Sequence, residues 1–347
     1  VGLRTDIGAS IPKNMFEYLR DADRFNLESG TLQGNISNMN LDINAYAEVG
    51  LGYSRPVNDK LTVGGRVKVL LGIARAEMQV DEFTVDMNIP QNPENPDSWN
   101  SSYGGYTNAR AHILTSIKGG GLSFADAHDS YGNAIRQING FDFDGSGFGI
   151  SGAGFGVDLG ASYKLLDNLT FSAAVLDLGF INWKGSSTTV ASIDENSKIE
   201  INQNNYQEYL SGDFLNLERF NLVEDKEAAS SYKTRLSSTF LLAGEYAFLN
   251  NKVSVGAMYS VHFVQPKTLN ELTLSATVRP KSWFNAAFSY SPIQAGGKSF
   301  GLALKLGSFF IGTDYMFFGN SSKSVNGFIG LSVPMGGSKS SADEIGI

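Results

Sequence analysis

The chain of 347 residues contains no cysteine, which excludes disulfides, thiolate metal sites and a cysteine nucleophile. It has no run of about eighteen or more apolar residues, which excludes a helical membrane protein. Basic residues are scarce: 27 Lys and Arg stand against 35 Asp and Glu, and the formal net charge is -8. Because no basic cluster is present either, the composition argues against nucleic acid as a partner.

Most of the chain between Leu41 and Val333 alternates between apolar and polar residues in segments of about ten residues. In the segment 253–263 the odd positions are apolar and the even ones are polar except Met258, and in 271–279 the phase is reversed. A period of two makes one face of a sheet apolar and the other polar. The mean hydropathy of -0.13 is compatible with a membrane β-barrel, because the polar residues of its lumen offset the apolar residues that face lipid. The pattern predicts an all-β protein, a transmembrane antiparallel up-and-down β-barrel.

Short turns at one end of the predicted strands and long loops at the other are typical of bacterial outer-membrane barrels, whose short turns face the periplasm. The short turns contain Asn, Asp, Gly and Pro, which supply the backbone geometry of tight hairpins. Twelve strands are predicted near 1–9, 41–55, 60–75, 150–166, 168–184, 232–248, 252–265, 268–279, 283–291, 299–307, 309–318 and 325–333. The short turns are 55–60, 166–168, 249–252, 279–282 and 307–308, and the long loops are 10–40, 76–149 and 185–231.

The long loops contain patterned segments of their own. Helical spacing of apolar residues predicts short helices at 13–25 and 205–220. Alternation over 77–89 predicts that one strand continues beyond the membrane, with a phase shift at the pair Asp81-Glu82.

Aromatic residues on the outward face gather beside the short turns, where amphipathic rings form a girdle at a membrane interface. A soluble β-sandwich adhesin gives no reason for aromatics at one level, so this alternative is disfavoured. The residues of the predicted girdle are Tyr53, Tyr163, Tyr246, Phe248, Phe284 and Phe309.

Charged and polar residues of the opposite parity are predicted to line the lumen. Both signs of charge occur in comparable number, so these side chains either fill the lumen as ion pairs, since buried ions need partners, or form a polar conduit or ligand site. The candidates are Glu48, Arg66, Lys68, Asp158, Arg235, Glu245, His262, Glu271, Arg279, Lys305 and Asp314.

One predicted strand breaks its alternation at Asp177, Leu178 and Gly179. Asp177 falls on the apolar face, and Leu178 then continues the apolar pattern on the other parity. A bulge or kink at this point re-aims a strand. The break is either a packing irregularity or a lateral opening or luminal constriction.

Asp142, Asp144 and Ser146, followed by Gly147, resemble the start of an EF-hand calcium loop. The acidic ligand that such a loop needs at its last position is replaced by Ala153. We therefore predict that this segment is a glycine-rich loop, and Asp142, Asp144 and Ser146 are only a weak candidate for a calcium site. The three histidines lack metal-ligand spacing, and no catalytic motif occurs, so we expect no metal, no cofactor and no enzymatic activity.

The segment Gly154–Trp183, which reads GFGVDLGASYKLLDNLTFSAAVLDLGFINW, resembles a family of Bacteroidetes outer-membrane barrels. That family is similar to the long-chain fatty-acid transporter (FadL-like) superfamily, which includes the PorV-type shuttle protein of type IX secretion. The resemblance implies a barrel of about fourteen strands with a plugged or constricted lumen. We therefore expect residues 1–335 to form one barrel domain that lacks N-terminal strands and a leader, and residues 336–347 to form a Gly/Ser-rich tail.

Two functions follow as expectations. The first is a channel for small hydrophobic or amphipathic molecules that enter through the long loops. The second is a non-transporting, PorV-like scaffold or shuttle for secreted or surface proteins. The expected partners are outer-membrane lipid and either a hydrophobic small molecule or such a protein, with no nucleic acid.

Overall fold

A computed structural model describes residues 1–24, 31–88, 104–128, 132–143, 149–193, 199–201, 222–265, 267–294, 297–318 and 323–332. Antiparallel strands dominate these residues. In chain order the elements are β1 Gly2–Ser10, α1 Lys13–Arg24, β2 Thr31–Pro56, β3 Leu61–Asn88, β4 Gly104–Ile117, β5 Gly120–His128, β6 Ala134–Phe143, β7 Gly152–Leu166, β8 Leu169–Trp183, β9 Thr188–Ser192, β10 Ile199–Ile201, β11 Val223–Glu224, β12 Tyr232–Arg235, β13 Ser238–Phe248, β14 Val253–Phe263, β15 Leu269–Lys281, β16 Phe284–Ile293, β17 Ser299–Leu306, β18 Phe309–Phe318, β19 Lys323–Val325 and β20 Phe328–Leu331.

The spanning strands form one up-and-down antiparallel sheet in the order β1, β2, β3, β7, β8, β13, β14, β15, β16, β17, β18, β20. This order confirms the twelve predicted strands, with β12 and β13 together forming the strand predicted at 232–248. Among the described residues no pairing joins β1 to β20. The sheet belongs to the membrane β-barrel class, and its described part has two edges.

Each predicted short turn joins two neighbouring strands of this sheet. In the β13–β14 turn, Leu249, Asn250 and Asn251 all have positive φ, between 54° and 61°, a region that Asn tolerates well. Gly307 has a φ of 60° in the β17–β18 turn. These local conformations reverse the chain within a few residues, which keeps the pairing in register.

The other end of the sheet differs from the expectation of long loops. Strands β2 and β3 continue far beyond the apolar band, and β4 pairs with β3 there. Strands β5, β9 and β10 pair with β4, β6 pairs with β5, and β11 pairs with β6 and β9. Helix α1, predicted at 13–25, is confirmed as far as Arg24 and packs on β2. The extended strand predicted at 77–89 is confirmed as far as Asn88, with a register shift between Val80 and Glu82. The helix predicted at 205–220 lies outside the described residues.

A buried apolar core holds this extramembrane part together, with Tyr18 of α1 packed edge-on against Phe83 of β3 at a centroid distance of 6.1 Å. No helix in the described part of the chain has the length and apolar character that a membrane crossing needs. The buried core residues are Met15, Tyr18, Leu32, Ile36, Met39, Phe83, Val85, Met87, Ala109, Ile113, Leu122, Ile138, Ala191, Ile193 and Leu222.

The outward face of the spanning strands is apolar and exposed, as the alternation predicts. Among the predicted girdle residues, Tyr53, Tyr163, Tyr246, Phe248 and Phe309 are exposed beside the short turns, and Phe284 is half-buried. Solvent exposure of so many aromatic rings at one level fits a surface that contacts lipid rather than water.

Candidate functional site: a charge chain at a strand bulge

Strand β8 contains a bulge opposite Asp158 of β7. Val157 pairs with Leu178 and Leu159 pairs with Val175, so Asp158 alone faces the two residues Leu176 and Asp177. Asp177 has a φ of 57°, a conformation typical of a strained or irregular site for a non-glycine residue. Its backbone amide donates to the Asp158 carboxylate at 2.8 Å, which satisfies a group that the ladder has left unpaired.

The opposite edge of β8 is interrupted at the same level. Pairing with β13 ends at Leu176 and Thr239 and resumes in β12 at Phe180 and Arg235. Between these points the amide of Leu236 donates to the carbonyl of Gly179 at 3.1 Å. Both neighbouring ladders of β8 are therefore disturbed at Asp177, whereas Leu178 and Gly179 stay paired with β7 alone.

The bulge reverses the parity of β8. Leu178 and Phe180 face outward, with 48% and 40% exposure, whereas the Asp177 side chain is buried in the lumen. The sequence places the break at these residues, and its role as a lateral opening stays a prediction.

A chain of alternating charges crosses the lumen at this level. The Lys68 ammonium lies 2.6 Å from Asp158 and 2.5 Å from Asp177, and Lys68 is only 1% exposed. The Arg4 guanidinium lies 2.9 Å from Asp177 and 3.2 Å from Glu48. Two cations thus hold three carboxylates, which is the compensation that a buried ammonium needs. We call these five residues the charge chain.

The charge chain connects β1 to β8, although β2, β3 and β7 lie between them in the sheet. Near the other end of β1, the carbonyl oxygen of Gln265, just after β14, lies 2.7 Å from where a β-carbon on Gly8 would stand. The sheet is therefore strongly curled, and β1 approaches both β8 and the end of β14. Side chains constrict the lumen at this height.

A buried apolar cluster occupies the lumen next to the charge chain, on the side of the extramembrane part. Trp183 is its largest member and donates from Nε1 to the Thr234 hydroxyl at 2.9 Å. Gly72 is needed beneath this ring, because a β-carbon there would lie 2.8 Å from the indole. The cluster consists of Tyr46, Leu70, Ile181, Trp183 and Leu236, and we call it the luminal seal.

Beyond the apolar band, Arg75 pairs with Asp42 at 2.6 Å and with Glu77 at 2.5 Å. His112 of β4 lies 3.8 Å from Glu77. The interaction with His112, together with that of Arg75, lowers the pKa of Glu77 to about 2. The same carboxylate raises the pKa of His112 above its usual 6.5. The strands β3 and β4 are thus joined by ionised groups where they leave the membrane.

On the short-turn side of the charge chain lies an open cavity of 1040 Å³. Arg66 is exposed in it, lying over Gly50 and Gly52. Apolar surface comes from Leu241 and Met258 on the facing strands. The charge chain also lines the cavity. The cavity thus combines apolar walls with groups of both charges, an arrangement suited to amphipathic molecules.

The predicted lumen residues are spread over several groups rather than one site. Glu48, Lys68 and Asp158 belong to the charge chain, and Arg66 lines the cavity. Arg279 pairs with Glu245 at 2.9 Å and donates to Ser254 at 3.1 Å.

Other predicted residues lie farther along the sheet. Glu271 accepts from the Thr273 hydroxyl at 2.9 Å, and His262 lies 3.0 Å from the Thr239 hydroxyl. Lys305 is half-buried on β17, and the side chain of Asp314 lies outside the described residues.

Arg235 lies on the outward face of the sheet and not in the lumen, where the sequence pattern predicts it. It pairs with Phe180, whose ring is outward, and Lys233 on the same strand lies over that ring at 4.9 Å. The parity reversal at the bulge explains this, because paired residues of an antiparallel ladder share a face.

The calcium candidate is only partly described. Asp142 is exposed and is the penultimate residue of β6, while Asp144 and Ser146 lie outside the described residues. Within the described ranges, no group of three or more His, Cys, Asp or Glu side chains could hold a metal ion.

Sequence reasoning missed Arg4 and Trp183 as site residues. Arg4 alternates with Leu3 and Thr5, so its luminal face could be read from the pattern. The pairing of Arg4 with Asp177 could not be read, because the two residues are 173 positions apart in the chain and their contact depends on the curl of the whole sheet.

Comparisons with known proteins give one family and distant structural neighbours. The model described as "Family of unknown function (DUF5723)" matches residues 1–314, and no curated protein matches. The toluene transporter TodX of Pseudomonas putida is 10% identical with a TM-score of 0.28, covering 90% of this chain and 80% of that chain.

Two further solved structures are similarly remote. A deltaS2 mutant of the TodX monoaromatic hydrocarbon channel gives a TM-score of 0.33 at 10% identity and the same coverage. The alcaligin outer membrane receptor FauA of Bordetella pertussis gives 0.18 at 9% identity, over 90% and 67% of the two chains. Such scores carry no argument about function. The family match, which spans most of the sequence, does assign the chain: it belongs to the family of unknown function DUF5723.

Proposed function

We propose that this protein is a bacterial outer-membrane channel of the FadL-like type for small hydrophobic or amphipathic molecules, and not an enzyme. Three features support the proposal: an apolar outward face, a cavity of 1040 Å³ in the lumen and a lumen closed by the charge chain and the luminal seal. A closed lumen does not suit free diffusion of ions, whereas amphipathic molecules can leave a barrel through its wall.

The observation that carries the proposal is that both ladders of β8 are disturbed around Asp177. The pairing with β7 is shifted at Leu176 and Asp177, and the pairing with β12 and β13 is interrupted over 177–179. A wall whose ladder hydrogen bonds are intact on both sides is costly to open inside a membrane. Here the break in the β8–β13 pairing lies directly beside the Lys68–Asp177 ion pair. We propose that this gap is the lateral opening, and that displacement of the ion pair accompanies it.

A reversible disulfide across the gap tests the proposal. Because the sequence contains no cysteine, the two introduced thiols can pair only with each other within the chain. Because Leu176 pairs with Thr239 and Phe180 with Arg235, Leu178 and Ser237 face each other. Facing residues in antiparallel strands are within disulfide reach. The variant Leu178→Cys/Ser237→Cys is therefore expected to block uptake of a hydrophobic probe such as toluene into proteoliposomes when oxidised, and to regain it on reduction.

The matched control is Leu169→Cys/Tyr246→Cys, because these two residues pair directly in the same two strands at the short-turn end. Its oxidation is expected to leave uptake unchanged. Equal uptake by the oxidised and reduced forms of the gap variant would show that molecules do not pass through this gap.

A second function, a PorV-like scaffold for secreted or surface proteins, is favoured by the extramembrane part. Its buried core holds a defined surface on which the rings of Phe16, Phe141 and Phe143 are exposed. Exposed aromatic rings are enriched at protein interfaces. Native mass spectrometry after gentle extraction distinguishes the two: a stoichiometric protein partner supports the scaffold, and a lone protein with a lipid-sized adduct supports the channel.

A further inference from the structure

A groove of 550 Å³ lies on the outward face of β3, β7 and β8, between the bulge and the short turns. Its floor is formed by Gly65, Ala161 and Ala173, and its sides by Leu159 and Phe240. The groove exists because Ala161 pairs with Ala173 across β7 and β8. On the other side of β7, Ala161 pairs with Val63 and Leu159 pairs with Gly65 of β3. Such a depression in a lipid-facing wall admits an acyl chain rather than water.

A cation and a phenol stand at the short-turn end of this groove. Arg55 and Tyr53 both line it and are exposed. Among the described residues, no carboxylate forms an ion pair with Arg55, unlike Arg4 and Arg279. At the level of the short turns, a guanidinium meets the headgroups of the adjoining leaflet, and its fork geometry suits phosphate or carboxylate oxygens.

We infer that the groove binds one amphiphile with an anionic oxyanion headgroup, from the leaflet at the short-turn side of the membrane. The acyl chain lies over Ala161 and Ala173, and the phosphate or carboxylate contacts Arg55. This inference rests on the membrane location given in the proposed function, but it does not require transport.

The position of the groove relative to the lumen strengthens the assignment. Most residues of the groove also line the luminal cavity, so only the thickness of one strand wall separates the two. The shared residues are Tyr53, Val63, Gly64, Gly65, Leu159, Gly160, Ala161, Ala173 and Ala174. Above the cavity the lumen is filled by the luminal seal, with Trp183 fully buried. A molecule that reaches the cavity therefore comes from the short-turn side or through this wall, and the groove holds the amphiphile at that wall.

The test is native mass spectrometry of the delipidated full chain in detergent, titrated separately with phosphatidylglycerol, palmitate and neutral diacylglycerol. We expect one stoichiometric adduct with an anionic amphiphile. The variant Arg55→Gln is expected to weaken it about tenfold, as for loss of one charge-assisted hydrogen bond. The variant Ala161→Phe fills the groove and is expected to abolish the adduct.

Two matched controls are available on another part of the barrel. Lys281→Gln removes an exposed cation at the end of β15, and Ala286→Phe adds a ring on the outward face of β16, beside the exposed Leu304. Both are expected to bind as the parent chain does.

An adduct with phosphatidylglycerol alone or with palmitate alone identifies the source of the oxyanion and supports the inference. Equal binding of diacylglycerol, no adduct at all, or equal loss in the control variants overturns it. The result is independent of the disulfide experiment, because an adduct can form on a barrel that transports nothing, and transport can occur without a stable adduct in this groove.

Discussion

The carboxylate of Asp158 accepts a hydrogen bond from the backbone amide of Asp177 at 2.8 Å and at the same time holds Lys68 at 2.6 Å. The Asp158 side chain thus accepts a hydrogen bond from the amide that the bulge leaves unpaired, and it is one of the two carboxylates that pair with the buried ammonium. The irregular backbone of β8 and the charge chain of the lumen are therefore a single unit: a change in one is transmitted to the other.

This coupling predicts a large loss of stability when Lys68 is replaced by Met. The substitution keeps the length of the side chain but removes the cation between the carboxylates of Asp158 and Asp177. Arg4 then remains beside Asp177, and Arg66 remains as a weaker counter-charge for Asp158. Breaking a buried ion pair from one side costs about 3–5 kcal/mol. The free energy of unfolding, measured by urea titration of the barrel in lipid vesicles, checks this.

The control for Lys68→Met is Lys305→Met, because Lys305 is half-buried and forms no ion pair with any carboxylate that the structure describes. The triple variant Lys68→Met/Asp158→Asn/Asp177→Asn is expected to recover part of the loss. A triple variant less stable than Lys68→Met alone would show that the carboxylates do more than balance Lys68.

The close approach of β7 and β8 at the bulge gives a second prediction, for Gly179→Ala. A β-carbon on Gly179 would collide with the carbonyl oxygen of Phe155 and lie 2.7 Å from the Cα of Gly156. Because backbone atoms cannot rotate aside, we expect a loss of about 2 kcal/mol or more in the free energy of unfolding. Gly160→Ala is the control, since its β-carbon meets nothing closer than 3.6 Å; equal losses would contradict the prediction.

Trp183→Ala tests the luminal seal. The indole is fully buried among Tyr46, Leu70 and Ile181, and its removal leaves a void in the centre of the lumen at a cost of about 3–5 kcal/mol. We expect the variant to conduct ions in planar bilayers where the parent chain does not. Trp283→Ala, at an exposed ring on a short turn, is expected to stay closed, and an equally closed Trp183→Ala would place the seal elsewhere.

The strands, turns and bulge could be read from the sequence because they depend on local periodicity. Alternation with a period of two located the spanning strands, and Asp177 on an apolar face located the bulge. Contacts across the lumen could not be read, since the pairing of Arg4 with Asp177 follows from the curl of a sheet built from many strands.

The extramembrane sheet was missed for a different reason. In β4 the buried residues include Thr115 and Ser116 as well as Ile113, so the alternation is broken by buried polar groups. The hydroxyl of Ser116 is paired with those of Thr188 and Tyr232 at 2.7 Å and 2.8 Å. Buried polar groups that find partners are tolerated, but they hide a strand from a hydropathy pattern.

The ion pair between Glu77 and His112 predicts a pH dependence of the extramembrane part. The pKa of His112 is raised chiefly by Glu77, and the charge of Asp81 contributes to the same shift. Partial burial of the ring acts in the opposite direction but does not cancel it. Its stabilisation is therefore complete below the usual 6.5 and is lost as the pH rises through the raised value. The pKa of Glu77 is lowered to about 2, so its contribution is complete above 4.5 and is lost as the pH falls toward 2.

Both contributions are present together between pH 4.5 and 6.5, and the pairing of β3 with β4 is expected to be most resistant to hydrogen exchange in that window. Histidine NMR in detergent micelles checks the cause, because the chain has only 3 histidines. Glu77→Gln is expected to lower the pKa of His112. Since the His112 side chain is 37% exposed, solvent screening keeps the effect on stability small, and an unchanged titration of His112 in Glu77→Gln would show that this pair does not join the two strands.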